Sequence, residues 1–263
     1  MERARTMMKL ETFEAILTKY VIPYKHMNEH CPPTVIMHKD GEPWLNKRLP
    51  DMLRMVAEKD PSLKIDIYTH GLQFKREHWD LLESLPNKVR MLVSFHFNNH
   101  DGTTNDYTEA DKLLRTCIAD AKNVEVILVS HLIRPMTQEQ LDAWKATWTS
   151  QFPNLVVHTN AHINPWTGRI EEPGASHFLS CPYGDFGHMF FGATGNVIAC
   201  CMDLEEEIVF GNVFDDDPAD MVEKLVGFYA DVTDKKLDHQ VCRYCLGVEQ
   251  RPEGATASAG VQV

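Results

Sequence analysis

Apolar positions along the chain alternate between two spacings. Short runs rich in β-branched residues read as strands: TVIMH (34–38), KIDIYTH (64–70), VRMLVSFH (89–96), VEVILVSH (124–131) and NLVVH (154–158). Between them, apolar residues recur three and four apart, the helical spacing. The groups are Met8, Leu10, Phe13, Ile16, Leu17 and Tyr20; Met52, Leu53, Met55 and Val56; Trp79, Leu81 and Leu82; Leu113, Leu114 and Ile118; Leu141 and Trp144. Strand starts recur about every 30 residues, the length of a strand–helix unit. Strands alternating with helices pair in parallel through right-handed crossovers, so the fold class is α/β. A partial (β/α)6 barrel accommodates the five near-equal repeats. One feature is out of order: the chain opens on a helix, about residues 7–20. A βα barrel opens on a strand, because a gap leaves ladder groups on both neighbours unsatisfied.

The texture changes near residue 175. GHMFFGAT and NVIACCMD flank Gly195-Asn196 and read as a β-hairpin. A short strand, EIVFGNV (207–213), follows, and then a helix that opens on the acidic run Asp215, Asp216 and Asp217, which reads as an N-terminal cap. The organisation expected is a partial barrel over 1–174 and a small α+β domain over 175–250. The low-complexity end, 251–263, reads as a disordered tail. Trp144 and Trp148, four apart on one helix, are expected to pack on the sheet.

Composition narrows the function. With 43% apolar and 24% charged residues, the chain of 263 residues buries a core of ordinary size. No apolar run approaches the roughly 20 residues that span a bilayer, and the N-terminus lacks the apolar core of a secretory signal. A cytoplasmic location is expected, where thiols stay reduced and disulfides are disfavoured. The net charge of −12 argues against a general nucleic-acid binder and leaves a local basic pocket open.

Seven cysteines are present, and four are spaced to suggest chemistry. Cys181, Gly195 and Cys200 lie across the hairpin; Cys242-x-x-Cys245 follows 41 residues later. A Cys-x-x-Cys turn aims two thiolates at one point, and two more from the hairpin base complete a tetrahedral set. Gly195 suits the tip, where a positive φ is required. Three readings of the four stand: core cysteines, which behave as small hydrophobes, a zinc site, or an iron–sulfur site. Zinc ribbons usually carry two short Cys-x-x-Cys knuckles, and this chain has one. Cys31 and Cys117 read as single core cysteines. Cys201, on an extended strand, is expected to face away from Cys200, as a reserve ligand only.

The pattern C-x13-G-x4-C … C-x2-C, with CCMDLEEEIVFGNVFD after the second cysteine, resembles the twitch domain, the half-size relative of SPASM. Such domains follow the barrel of many radical S-adenosylmethionine enzymes. The resemblance implies one auxiliary [4Fe–4S] cluster on Cys181, Cys200, Cys242 and Cys245. The barrel half is similar to the same family. Asp40-Gly41-Glu42-Pro43 stands where the family has its GGEP-type turn, which receives the amino group of S-adenosylmethionine, and Ser94 stands on the family's fourth strand, another cofactor contact. An intact member generates a 5′-deoxyadenosyl radical that abstracts hydrogen from a substrate, while the auxiliary cluster accepts an electron or ligates substrate. The family's C-x3-C-x2-C loop and the strand before it do not occur in this sequence. The expectation is therefore a truncated start, a strand supplied by a second chain, or a non-catalytic iron–sulfur partner subunit. A zinc-stabilised binding module is the other reading.

Thirteen histidines are many, and His38, His70, His96, His131 and His158 each end an expected strand. In parallel βα folds those ends form the active-site face. Imidazoles there bind anions, shuttle protons or ligate metals, or simply bond to loops. The expectation drawn is a small-molecule or peptide substrate bearing an anionic group, met by His96 and His131.

Overall fold

A computed structural model describes residues 6–26, 33–39, 41–96, 104–131, 137–159, 178, 180–183, 188–234 and 239–249. Asp40, Cys31 and the expected tail at 251–263 lie outside the described residues. Those described fall into two compact units. One spans Thr34–Ile163; the other combines Met1–Pro33 with Asn164–Ala259.

The first unit is a five-stranded sheet in sequence order, β1 (Thr34–Ile36), β2 (Lys64–Thr69), β3 (Val89–His96), β4 (Val124–His131) and β5 (Val156–Thr159). Every pair is parallel. Helices α3 (Leu49–Lys59), α4 (Arg76–Ser84), α5 (Thr108–Asp120) and α6 (Gln138–Thr149) follow the first four strands in turn. Local chemistry starts them: a proline opens α3, and Thr137 and Gln140 form a reciprocal capping box on α6.

Alternation along β3 sorts its two faces. Val89, Met91, Val93 and Phe95 are buried, and the Phe95 ring meets Tyr107, Trp144 and Trp148 on the helical side. Burying side chains of this size stabilises the fold by about 1.5–3 kcal/mol each. Arg90, Leu92, Ser94 and His96 therefore occupy the face turned away from the helices. Arg90 is paired there with the buried Asp66 of β2.

The second unit carries an antiparallel sheet, β6 (Phe190–Phe191), β7 (Asn196–Ile198) and β8 (Val209–Asn212), with helices α7 (Pro218–Thr233) and α8 (Gln240–Cys245). Gly195 turns the hairpin at φ +92, and a Cβ there would stand 2.8 Å from the Val213 side chain. Backbone conformation and space both demand glycine. Asp217 caps α7, accepting from the N–H groups of Ala219 and Asp220.

The opening helix, α1 (Leu10–Ile16), continues through a π-helical stretch, Leu17–Val21, into α2 (Ile22–Tyr24). Its apolar stripe is what places it. Ile16 and Tyr20 join a buried cluster with Val197, Val213 and Met221, and Lys19 donates to the Val213 carbonyl at 2.8 Å. The segment that opens the barrel in the sequence reading packs here against the hairpin, because β7 and the residues after β8 supply its apolar partners.

Candidate functional site

Cys181, Cys200, Cys242 and Cys245 line one pocket in the second unit, together with Tyr183, Met202, Phe228, Tyr229, Val232 and Val241 among others. Three separate segments bring them together. Cys181 precedes the hairpin and Cys200 lies just past the end of β7. Cys242 and Cys245 are three apart on α8, a spacing that puts them on one side of a turn.

Each segment is fixed by bonds of its own. The Tyr229 hydroxyl donates to the Ala199 carbonyl at 2.7 Å, tying α7 to the residue before Cys200. Asp203 is 1% exposed, and its carboxylate accepts the Glu207 and Ile208 N–H groups, both at 2.9 Å. That folds the loop after the cysteine pair back toward β8. Beyond Cys245, Gly247 adopts φ +67 and its N–H bonds the Tyr244 carbonyl, while Val248 N–H reaches Arg243. This left-handed stop ends α8 immediately after the second thiol.

Burial is the main influence on the thiols of Cys200, Cys242 and Cys245. It pushes Cys242 and Cys245 up to about 12, with the other thiols adding to the shift. Cys200 is raised further for the same reason, against N–H groups of Met202 and Asp203 that favour its thiolate. Thiolates in an apolar pocket repel one another and lack solvation, so the charged state wants a cation in their midst. The donor set fits a soft, sulfur-liganded group. Among the described residues no three His, Cys, Asp or Glu side chains meet closely enough to hold a single ion; the four thiols ring the pocket instead.

Two other cysteines are now placed. Cys117 is fully buried on α5, where burial raises its thiol to about 11. Cys200 lines the pocket and Cys201 does not, though strand alternation is not the cause. β7 ends at Ile198, so Cys200 and Cys201 lie in a turn, and strand alternation does not send them to opposite faces. The Cys201 thiol sits 2.8 Å from the Tyr183 hydroxyl. Tyr183 and Tyr229 had no periodic or motif signal in the sequence, and Asp203 lay in the stretch after the second cysteine with no role assigned to it. Only their contacts with the cysteine segments reveal them.

In the first unit, the turn after β1 holds Gly41 at φ +79 with open space around it, and Pro43 begins a short 3-10 turn, Pro43–Leu45. The Glu42 carboxylate is buried and bonded within the protein. One oxygen accepts from Trp44 N–H at 3.1 Å and from the Thr69 hydroxyl at 2.7 Å. The other accepts from His70 N–H at 2.9 Å and faces His70 Nε2 at 3.3 Å. His70 is 4% exposed; its Nδ1 accepts the Leu72 N–H, so the ring proton belongs on Nε2, toward Glu42. Burial lowers its pKa, opposed by Glu42.

Ser94 and His96 share a face of β3, with Ser94 nearly buried and His96 partly so. The His96 N–H donates to the Tyr107 oxygen at 2.9 Å, and its carbonyl accepts from Asn105. His131 is the register partner of His96, and His158 that of Val129. His38 lies against the Tyr68 ring. The strand-end histidines are therefore not alike. His70 is locked inside, His158 is exposed, and His96 and His131 end adjacent strands.

Residues 181–246 match the model of the SPASM iron–sulfur cluster-binding domain. No curated protein matches the sequence. Among solved structures, BtrN in complex with AdoMet and 2-DOIA superposes with a TM-score of 0.62 at 15% identity, over 96% of this chain and 85% of that one. Selenomethionine BtrN in an open conformation gives 0.54 at 17%, over 94% and 83%. Native anSMEcpe with bound AdoMet gives 0.52 at 12%, over 93% and 81%. In fold, the chain is like these structures: a partial barrel of five parallel strands with a small, SPASM-like antiparallel domain.

Proposed function

We propose that the protein is an iron–sulfur protein of the radical S-adenosylmethionine type, holding one auxiliary [4Fe–4S] cluster on Cys181, Cys200, Cys242 and Cys245. The carrying observation is that these four thiols, from three chain segments, line one apolar pocket. The match of residues 181–246 to an iron–sulfur cluster-binding domain favours a cluster over zinc. A structural zinc needs four sulfurs at about 2.3 Å from one centre, whereas each thiolate of a four-iron cluster binds its own iron. When bound, the cluster supplies one-electron chemistry or an iron open to a substrate ligand. The chain's own part is to position and to exclude water. Tyr183, Phe228 and Tyr229 would line the pocket beside the cluster, and the Met202 and Asp203 N–H groups direct hydrogen bonds at the Cys200 sulfur.

S-adenosylmethionine would bind at the first unit, by analogy with BtrN and anSMEcpe, both of which bind AdoMet. The Gly41 backbone, at φ +79 with open space beside it, would meet its amino group, with Pro43 starting the turn and Ser94 on the face of β3 turned away from the helices. Glu42 contributes by holding that turn to the end of β2. The test is iron, sulfide and zinc content after anaerobic reconstitution of the full chain. About four irons and four sulfides per chain, lost in Cys181→Ala and Cys242→Ala, is the expected result. One zinc without sulfide overturns it in favour of a zinc-stabilised binding module.

A further inference from the structure

Asp203 is 1% exposed, and the four-thiol scheme gives it no part. Its bonds close the stretch between Cys200 and β8 at two points. At the near end, the Asp203 N–H reaches the Cys200 carbonyl at 3.3 Å. At the far end, its two carboxylate oxygens accept the Glu207 and Ile208 N–H groups, each at 2.9 Å. The Ile208 carbonyl in turn accepts the Ala199 N–H at 3.2 Å, so the residue before Cys200 is tied to the same place. Residues 201–207 belong to no helix or strand, and the shape of their turn depends on this buried carboxylate.

The turn carries Met202, a residue of the pocket lining, and presents the Met202 and Asp203 N–H groups to the Cys200 sulfur. The positive end of an N–H favours the more negative, reduced state of a cluster and so raises its reduction potential. A buried carboxylate acting through its charge alone does the reverse. The two roles therefore differ in sign.

We propose that Asp203 is a positioning residue of the cluster site: by fixing the turn from Cys200 to Ile208, it keeps two N–H groups on the Cys200 sulfur and holds the reduction potential above what the thiolates alone would give. This rests on the iron–sulfur reading above and adds no ligand to the four cysteines.

The experiment is anaerobic reconstitution of the full chain as wild type, D203N and D203A. Iron and sulfide are measured, with the electron paramagnetic resonance spectrum of the reduced protein and its midpoint potential. Asparagine keeps the shape and one acceptor oxygen; alanine keeps neither. The potential is expected to fall in the order wild type, D203N, D203A. For D203A the expected fall is about tenfold in the ratio of reduced to oxidised cluster, ~59 mV for a one-electron couple, with a shifted spectrum. Should D203A not fold, a D203N potential below wild type carries the test. A rise in the variants reports lost charge alone and overturns the proposal, as does an unchanged potential. Empty variants whose metal-free chains keep the wild-type circular dichroism also overturn it, because Asp203 would then be needed to hold the cluster and not to tune it. In each of these cases a loaded wild type leaves the iron–sulfur reading standing. If wild type takes up no iron or sulfide, both fall.

Discussion

The thiol pocket and the Glu42 turn both gather polar groups from distant segments, but they dispose of them in opposite ways. At Glu42 both carboxylate oxygens are occupied, by Trp44, Thr69 and His70. The motif that looks most like a binding feature in the sequence is, for its side chain, a clamp between β1 and β2. In the pocket, four thiols face apolar side chains, and burial holds Cys242 and Cys245 near pKa 12. A polar group satisfied within the protein marks scaffolding; one left short of partners in a cavity marks a place for something else.

This contrast can be broken by substitution. The largest effect falls on metal content: Cys242→Ala should empty the site while changing the stability of the metal-free chain by only about 1 kcal/mol, as urea unfolding of chelated protein would show. Equal destabilisation of the metal-free chain by Cys242→Ala and Glu42→Ala would erase the distinction. Glu42→Ala strips acceptors from three buried donors, and a loss of about 3 kcal/mol or more follows, read from the same urea curves. Asp203→Ala orphans two N–H groups at the edge of the pocket. It should cost about 2 kcal/mol and also lower iron content, which Glu42→Ala should not. Gly195→Ala, strained at φ +92 and crowded by Val213, is expected to cost about 1–2 kcal/mol.

The smallest effect is a pH dependence. Burial depresses the pKa of His70 in the folded chain, so the unfolded chain binds its proton more readily. The stability His70 contributes is whole above its unfolded pKa of about 6.5 and declines as pH falls from there toward the folded value. Urea midpoints taken from pH 7.5 to 5 should fall less steeply in His70→Asn. Identical slopes would remove His70 from the account.

The strands were the most legible part of the chain. VEVILVSH is β4 residue for residue, and VRMLVSFH is β3, because long β-branched runs between helical segments admit few other readings. The hairpin tip was readable from Gly195, since its φ leaves little choice of residue. The four cysteines were legible as a set through spacing alone. For Cys201 only the premise fails: alternation holds while a strand lasts, and β7 stops at Ile198 before the cysteine pair. The partners of Glu42 lie 27 and 28 positions away and follow no period, so no local pattern announces them. The docking of α1 was hidden similarly: its stripe shows that a face is buried, not which surface covers it.

That docking has a consequence for synthesis. Lys19 bonds a residue 194 positions further along the chain, and the cluster that covers Ile16 and Tyr20 is completed by Val197, Val213 and Met221. The helix is made long before its cover and must wait until Val197, Val213 and Met221 have left the ribosome. Contacts of such sequence separation form late and slowly. Until then an apolar stripe stands in water, the kind of surface that chaperones hold and nascent chains aggregate through. A chain interrupted before residue 197 would keep it exposed.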